Sequence, residues 1–177
     1  MPEKNAEQRA QLIKVAIFDV DGVLTDGSLI LGDDGQQYKS FNAQDGQGLK
    51  LLQAANIEVG VITARQSTVV RRRMQELGIR HVYQGQQDKR ETFNALLNRL
   101  GVTAEQVAYT GDDLPDLPLL RRAGLACTVA NGTDIVKQHV HFIAPRAGGN
   151  GGVRDICEFI LKAQQRYDEL LARYLTD

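Results

Sequence analysis

Short apolar runs alternate with amphipathic stretches along most of the chain. The apolar runs lie at residues 15–18, 57–62, 80–83, 107–110, 125–129 and 140–143. Helical patterning is found at residues 5–13, 49–55, 66–77, 91–100, 116–124, 133–138 and 153–174. Uninterrupted apolar runs are typical of strands that a parallel sheet buries on both faces. The alternation therefore predicts a single α/β domain over residues 1–177, with a doubly wound, Rossmann-like parallel sheet and right-handed crossovers.

A β-hairpin pattern follows the first predicted strand. Residues 28–31 and 36–41 flank the turn sequence Gly32-Asp33-Asp34-Gly35. An isolated two-stranded ribbon is marginal in water. This one carries the large apolar residues Leu29, Ile30, Leu31, Tyr38 and Phe41. We expect a hairpin flap whose apolar side chains are covered by a neighbouring subunit.

Composition narrows the function classes. The 177 residues are 42% hydrophobic and carry a formal net charge of −1, which gives no sign of a polybasic surface for nucleic acid or membranes. Residues 1–9 are too polar for a secretory signal, and no stretch approaches the length of a membrane span. Cys127 and Cys157 form no Cys-x-x-Cys pair. We expect a cytoplasmic protein without nucleic-acid or membrane partners.

Polar side chains follow the predicted strands at their carboxyl ends, where open α/β sheets bind ligands. They are Asp19 and Asp21 after the first strand, Thr63 after the second, Lys89 after the third, and Asp112 with Asp113 after the fourth. A nucleophilic carboxylate, a metal-binding carboxylate and a cation are suited to moving a phosphoryl group. Separately, each could be a cap, a solvated lysine or an acidic turn. Their convergence on one edge predicts a phosphoryl-transfer site.

The stretch Phe18-Asp19-Val20-Asp21-Gly22-Val23-Leu24-Thr25-Asp26-Gly27 resembles the first motif of the haloacid dehalogenase-like phosphohydrolases. The resemblance implies that Asp19 attacks phosphorus and becomes an aspartyl phosphate. Asp21 would protonate the leaving alkoxide and later accept a proton from water. We expect Mg²⁺ to be held by Asp19, Asp112 and the backbone carbonyl of Asp21. Aspartate at position 21 is similar to the phosphatases of this superfamily, whereas its ion-pumping ATPases carry threonine there.

Three further residues complete the expected chemistry. The Thr63 hydroxyl would hold the equatorial oxygens of the phosphate. Lys89 would neutralise charge between the nucleophile and the phosphate. Asp113 would orient Lys89 or a metal-bound water.

The chain leaves no room for the cap domain that this superfamily usually inserts. Only the hairpin and one helix fit between the first two strands, and one helix fits between Lys89 and residue 107. Residues 18–27, the hairpin, and residues 41–49, 62–65 and 148–152 resemble the capless 3-deoxy-D-manno-octulosonate 8-phosphate phosphatases. That resemblance implies a Mg²⁺-dependent homotetramer of lipopolysaccharide biosynthesis, with hairpins in a central barrel and active sites at subunit interfaces. It also implies a carboxyl tail that can cover a neighbour's site.

A sugar acid phosphate carries a carboxylate that needs a cation of its own. Arg65 follows Thr63 in the loop, and Arg73 lies on the apolar stripe of its helix, where an unpaired arginine would be costly. The resemblance assigns the sugar-phosphate site to Asp21, Asn42, Ala43, Gln44, Asp45, Gly46, Lys50, Arg65, Arg73 and Lys89. Ala43-Gln44 departs from the Val-Arg that is frequent in the family. For Arg73, an ion pair with an acid in a structural bridge remains the alternative.

Three other functions remain open at this point. A phospho-acceptor receiver domain also combines Asp, Thr, Lys and an acidic pair, but there the acidic pair precedes the acceptor strand. A non-catalytic assembly domain of the sialic acid cytidylyltransferase type would tolerate loss of Asp19, Asp21 or Lys89, yet all are present. A phosphatase acting on another 2-keto-3-deoxy sugar acid phosphate would keep the same chemistry.

Overall fold

Six parallel strands form the central sheet in the order β5-β4-β1-β6-β7-β8, and a separate hairpin pairs β2 with β3. The computed structural model describes residues 4–175. The strands are β1 Val15–Phe18, β2 Ile30–Leu31, β3 Gln37–Tyr38, β4 Glu58–Ile62, β5 His81–Tyr83, β6 Val107–Thr110, β7 Leu125–Thr128 and β8 Phe142–Ile143. The helices are α1 Ala6–Ala10, α2 Ala43–Ala54, α3 Thr68–Glu76, α4 Lys89–Leu100, α5 Leu117–Leu120, α6 Asp134–Lys137, α7 Gly152–Ala163 and α8 Tyr167–Ala172, with 3₁₀ turns at Ala104–Gln106 and Leu114–Asp116.

Strand β1 lies at the point where the chain changes direction across the sheet. It pairs with β4 on one side and with β6 on the other, so that Phe18 lies opposite both Val61 and Thr110. The strands that follow β1 build outward through β4 and β5, and the chain then crosses back to add β6, β7 and β8. Such a switch point opens a crevice at the carboxyl ends of the strands. The predicted doubly wound parallel sheet is confirmed.

Helices cover both faces of the sheet. Ala16 and Phe18 of β1 belong to a core shared with α1, α2, α3 and α7, whereas Val15 and Ile17 belong to a second core shared with α4 and α5. Because successive side chains of β1 point alternately into the two cores, every residue of this strand is apolar. Helices α2 and α7 approach closely at Gly48, where an added Cβ would lie 3.1 Å from Arg154 Cα.

The hairpin follows the predicted turn. Ile30 pairs with Tyr38, and the Gly32 amide donates to the Gln36 carbonyl over 2.8 Å. Leu29, Ile30, Leu31 and Tyr38 expose 50%, 51%, 66% and 53% of their surface. Within residues 4–175, helices and this hairpin connect the strands, and no cap domain is inserted.

Among the predicted helix boundaries, two differ most from those of the structure. Helix α2 begins at Ala43 and not at residue 49, because Asn42 caps it and accepts the amides of Gln44 and Asp45. The expected helix 153–174 is two helices, since Gln165 adopts a left-handed φ of 56° between α7 and α8.

Tertiary hydrogen bonds hold this break. The Gln164 side chain donates to the carbonyls of Ala10 and Ile13 over 2.9 and 2.8 Å. The Arg166 amide closes the end of α7 on the Leu161 carbonyl over 2.9 Å. No glycine marks this turn, so the sequence carries no local signal for it. The end of the carboxyl tail, 176–177, lies outside the described residues.

No helix in the described range has the length and apolar character needed to cross a membrane.

Candidate active site

A cavity of about 440 Å³ opens at the carboxyl ends of β1, β4 and β6. The predicted residues that line it are Asp19, Asp21, Thr63, Arg65, Lys89, Asp112 and Asp113. They converge because parallel strands end at one edge of the sheet, and β1 and β6 are neighbours there. Lys89, expected in a loop, is the first residue of α4, whose amino end is capped by Asp88.

The turn after β1 depends on a glycine. Gly22 has a φ of +92°, and a Cβ at this position would lie 2.1 Å from Asp112 Oδ2. Thr25 Oγ1 accepts the amides of Gly22 and Gly27 and donates to the Val20 carbonyl, each over 3.3 Å. The Asp112 carboxylate can therefore lie directly against the turn that carries Asp21.

A buried network surrounds the Lys89 ammonium. Its Nζ lies 2.8 Å from Asp19 Oδ1 and 2.7 Å from Asp116 Oδ1. The Tyr109 hydroxyl donates to the same Asp116 oxygen over 2.6 Å. The other Asp116 oxygen accepts the Asp112 amide over 3.0 Å. Asp116 thus joins the Lys89 ammonium and the loop that carries Asp112 in one hydrogen-bonded network.

No role was predicted for Asp116 from the sequence, and the orientation of Lys89 was predicted for Asp113 instead. The Asp113 carboxylate instead accepts the Leu114 amide over 2.8 Å and caps the 3₁₀ turn. The expectation that Asp113 orients Lys89 is wrong, because Asp116 is buried three residues further on and reaches the ammonium. The available signal was the spacing of Asp116 from the Asp112-Asp113 pair. A contact of Asp113 with a metal-bound water remains a prediction.

Burial and neighbouring carboxylates raise the pKa values of two acids in the cavity, Asp19 and Asp112. Burial, followed by the Asp116 charge, raises the pKa of Asp19 to about 6 against the lowering effect of Lys89. Burial, then Asp116 and Asp19, raise the pKa of Asp112 to about 7. Burial by itself would lower the pKa of Lys89, but the carboxylates of Asp19 and Asp116 outweigh it and raise that pKa. Lys89 is therefore a charged ammonium.

The residues present fit a divalent metal ion. One oxygen from each of Asp19, Asp112 and Asp116 lies within 4.8 Å of the others. Asp19 Oδ1 is buried and makes no hydrogen bond among the described residues, although Lys89 Nζ lies 2.8 Å away. Since Asp116 is engaged by Lys89, Tyr109 and the loop amides, Asp19 and Asp112 are the carboxylates available to a hard cation such as Mg²⁺. A third ligand from the Asp21 carbonyl remains a prediction.

Asp21 lies between two cations. Its Oδ1 accepts a hydrogen bond from Lys39 Nζ, and its Oδ2 lies 4.0 Å from Arg65 Nε. Lys39 directly follows β3, and only 4% of its side chain is exposed. No sequence pattern indicates this pairing, because 18 residues separate the partners.

The remaining predicted sugar-site residues do not line the cavity within one chain. They are Asn42, Ala43, Gln44, Asp45, Gly46, Lys50 and Arg73. One correction and one internal contact follow for this group. The amides of Gln44 and Asp45 are not free for an anion, since the Asn42 side chain accepts them. Asp45 is buried, and its carboxylate accepts the amides of Gly151 and Arg154 over 3.3 and 2.8 Å.

Arg73 lies beside this segment. Its guanidinium occupies the space next to Gly46, where an added Cβ would meet Nη2 at 2.4 Å. Its Nη1 lies 3.6 Å from Glu76 Oε2, one turn further along α3. Because the Glu76 side chain is half-exposed, this ion pair is a weak constraint. Arg73 and the start of α2 therefore form one surface.

The fold and the site together define a hydrolase of the haloacid dehalogenase-like class. A family model of haloacid dehalogenase-like hydrolases matches residues 80–156. The 3-deoxy-D-manno-octulosonate 8-phosphate phosphatase KdsC of Salmonella typhi is 42% identical over 161 residues, which cover 91% of this chain and 86% of that protein. The enzyme of the same name from Escherichia coli (strain K12) is 41% identical over the same shares.

Solved structures agree with these relatives. The Moraxella catarrhalis 3-deoxy-D-manno-octulosonate 8-phosphate phosphatase, in complex with magnesium, phosphate and KDO, has a TM-score of 0.93 and 43% identity, covering 96% of this chain and 97% of that one. The chain belongs to the 3-deoxy-D-manno-octulosonate 8-phosphate phosphatase family. This membership excludes the receiver-domain alternative.

Proposed function

We propose that the chain, as one domain over residues 1–177, is a Mg²⁺-dependent phosphatase. It converts 3-deoxy-D-manno-octulosonate 8-phosphate to KDO and phosphate in lipopolysaccharide biosynthesis. The observation that carries the proposal is the buried Asp19–Lys89 pair at 2.8 Å beside Asp112, in a cavity at the sheet's switch point. The related Moraxella catarrhalis enzyme, named for this reaction and crystallised with KDO, phosphate and magnesium, supports the substrate and the metal.

Asp19 is the proposed nucleophile. One carboxylate oxygen forms a bond to phosphorus while the bond from phosphorus to the substrate oxygen breaks, which leaves an aspartyl phosphate. Lys89 holds this carboxylate and balances the charge that gathers on the phosphate, and the Thr63 hydroxyl lines the same space. When bound by Asp19 and Asp112, Mg²⁺ supplies further charge neutralisation at the phosphate oxygens.

Asp21 is the proposed acid and base. It lines the cavity two residues after the nucleophile, with 19% of its side chain exposed. As an acid it gives a proton to the leaving sugar oxygen, and as a base it takes a proton from the water that hydrolyses the aspartyl phosphate.

Recognition of the sugar acid is proposed to involve two subunits. Arg65 lines the cavity with half of its side chain exposed, so it can meet the substrate carboxylate in the same chain. Arg73, Lys50 and residues 42–46 lie outside that cavity, and we assign them to the sugar site of a neighbouring subunit. The exposed apolar hairpin supports a homotetramer with active sites at subunit interfaces. Two free, buried cysteines, Cys127 and Cys157, agree with a cytoplasmic location.

The test is phosphate release with Mg²⁺ across a panel of sugar phosphates and sugar acid phosphates. We expect the highest kcat/KM for 3-deoxy-D-manno-octulosonate 8-phosphate. A higher value for a sialic-acid-type phosphate would instead favour the second candidate substrate. Absence of turnover on every substrate would favour a non-catalytic assembly domain.

The nucleophile is tested by Asp19→Asn. This variant should keep the fold, lose turnover and form no beryllofluoride adduct, because an amide cannot become the phosphoenzyme. Asp134→Asn, an exposed change of the same kind on α6, serves as the matched control and should keep full activity. Substantial turnover by Asp19→Asn would place the nucleophile elsewhere.

A further inference from the structure

Lys39 is a buried cation in an otherwise exposed hairpin. Its side chain is 4% exposed, whereas the flanking Tyr38 is 53% exposed. Burying an ammonium without a partner is costly. Within the described part of the chain, its ion-pair partner is Asp21, whose Oδ1 accepts the Nζ hydrogen bond. The first strand's acidic turn and the end of the hairpin are thereby joined by one charged contact.

Because of this contact, the two carboxylate oxygens of Asp21 have different surroundings. Lys39 occupies Oδ1, and Oδ2 lies 4.0 Å from Arg65 Nε. Asp21 and Arg65 line the cavity, but Lys39 does not. Lys39 therefore acts on a molecule in the cavity only through Asp21. Since a carboxylate held at one oxygen loses rotational freedom, the other oxygen is presented in a fixed direction.

The hairpin is also attached to the site through its first strand. Leu29, one residue before β2, lines the cavity together with Gly27. The hairpin thus borders the cavity at Leu29, and Lys39 joins its other end to Asp21 by a charged contact.

We propose that Lys39 is a positioning residue for protonation of the leaving group. The inference rests on the proposed phosphatase function. As the oxygen of Asp19 bonds to phosphorus and the ester bond breaks, the proton on Asp21 Oδ2 moves to the departing oxygen. The carboxylate left on Asp21 is held through Oδ1 by the Lys39 ammonium. Removal of the ammonium frees the carboxylate to rotate and leaves its new charge with only the more distant Arg65, 4.0 Å from Oδ2.

The experiment compares aryl phosphates whose leaving groups differ in basicity, from p-nitrophenyl phosphate to phenyl phosphate. Neither carries a carboxylate, so sugar recognition does not enter. We expect Lys39→Met to lower kcat/KM about tenfold or more for phenyl phosphate, a part of the usual contribution of general acid catalysis. The loss for p-nitrophenyl phosphate should stay below about threefold, because its leaving group needs little protonation. Lys39→Arg, which keeps the charge, should restore most of the lost activity.

Matched controls separate this role from a structural one. Lys14→Met changes an exposed lysine at the opposite end of β1 and should leave both substrates unaffected. Sedimentation and melting temperature report the assembly and fold of each variant. Should Lys39→Met not fold, Lys39→Gln allows the same comparison.

The outcomes distinguish the two proposals. Equal losses on all aryl phosphates would overturn the positioning role and leave Lys39 as a structural contact. Absence of wild-type activity on any phosphate ester would overturn the phosphatase proposal itself. A loss that grows with leaving-group basicity supports both. The quantity compared is kcat/KM, which covers the steps up to departure of the leaving group, so hydrolysis of the shared intermediate does not mask the difference.

Discussion

Replacement of Asp116 by alanine should strongly destabilise the fold, although no sequence motif pointed to this residue. Asp116 is 1% exposed, and its carboxylate accepts hydrogen bonds from the Lys89 ammonium, the Tyr109 hydroxyl and the Asp112 amide. Asp116→Ala leaves these buried donors short of an acceptor. Removing one partner of a buried, hydrogen-bonded charge pair costs about 3–5 kcal/mol. Partial relief of repulsion with the Asp19 and Asp112 carboxylates places our expectation at the lower end, about 3 kcal/mol.

The assay is unfolding by urea and by heat, without metal and at a fixed protein concentration, which gives the free energy of unfolding and the melting temperature. For a chain of this size, about 3 kcal/mol corresponds to a fall in melting temperature of roughly 6–12 °C. Asp113→Ala is the matched control, because Asp113 is exposed and only caps a 3₁₀ turn. It should cost about 1 kcal/mol. If the two variants differed by less than about 1 kcal/mol, the buried network would not have the energetic role that its geometry indicates.

Three further outcomes are expected. Because the pKa of Asp112 is raised to about 7, protons compete with the metal for this carboxylate below that pH. Mg²⁺ should therefore raise the melting temperature more at pH 8 than at pH 6, and an equal rise at both pH values would contradict Asp112 as a ligand. Ile30→Lys with Tyr38→Asp should dissociate the proposed tetramer in sedimentation and lower activity, and a fully active monomer would refute the proposed shared site. Arg65→Ala and Arg73→Ala should each raise KM for the sugar acid phosphate about tenfold or more but affect hydrolysis of p-nitrophenyl phosphate much less. Equal losses of activity on both substrates would mean that these arginines bind the phosphate or stabilise the fold.

The sequence alone determined where the phosphate chemistry could lie. Apolar runs mark strands that are buried on both faces, and the carboxyl ends of parallel strands meet at one edge. Residues that directly follow such runs, such as Asp19, Thr63 and Asp112, are therefore placed together without knowledge of any side-chain contact. The hairpin could also be predicted from the sequence, because its turn glycines and flanking apolar residues are local signals.

Only the tertiary structure decided which side chains pair. Lys39 meets Asp21 across 18 residues, and Lys89 meets Asp116 across 27. The helix break at Gln165 likewise depends on hydrogen bonds from Gln164 to the far end of the chain. Sequence periodicity records which face of an element is buried, since burial repeats along the chain. A single polar contact between distant segments leaves no repeat, and it is fixed only when packing brings its two partners within hydrogen-bond distance.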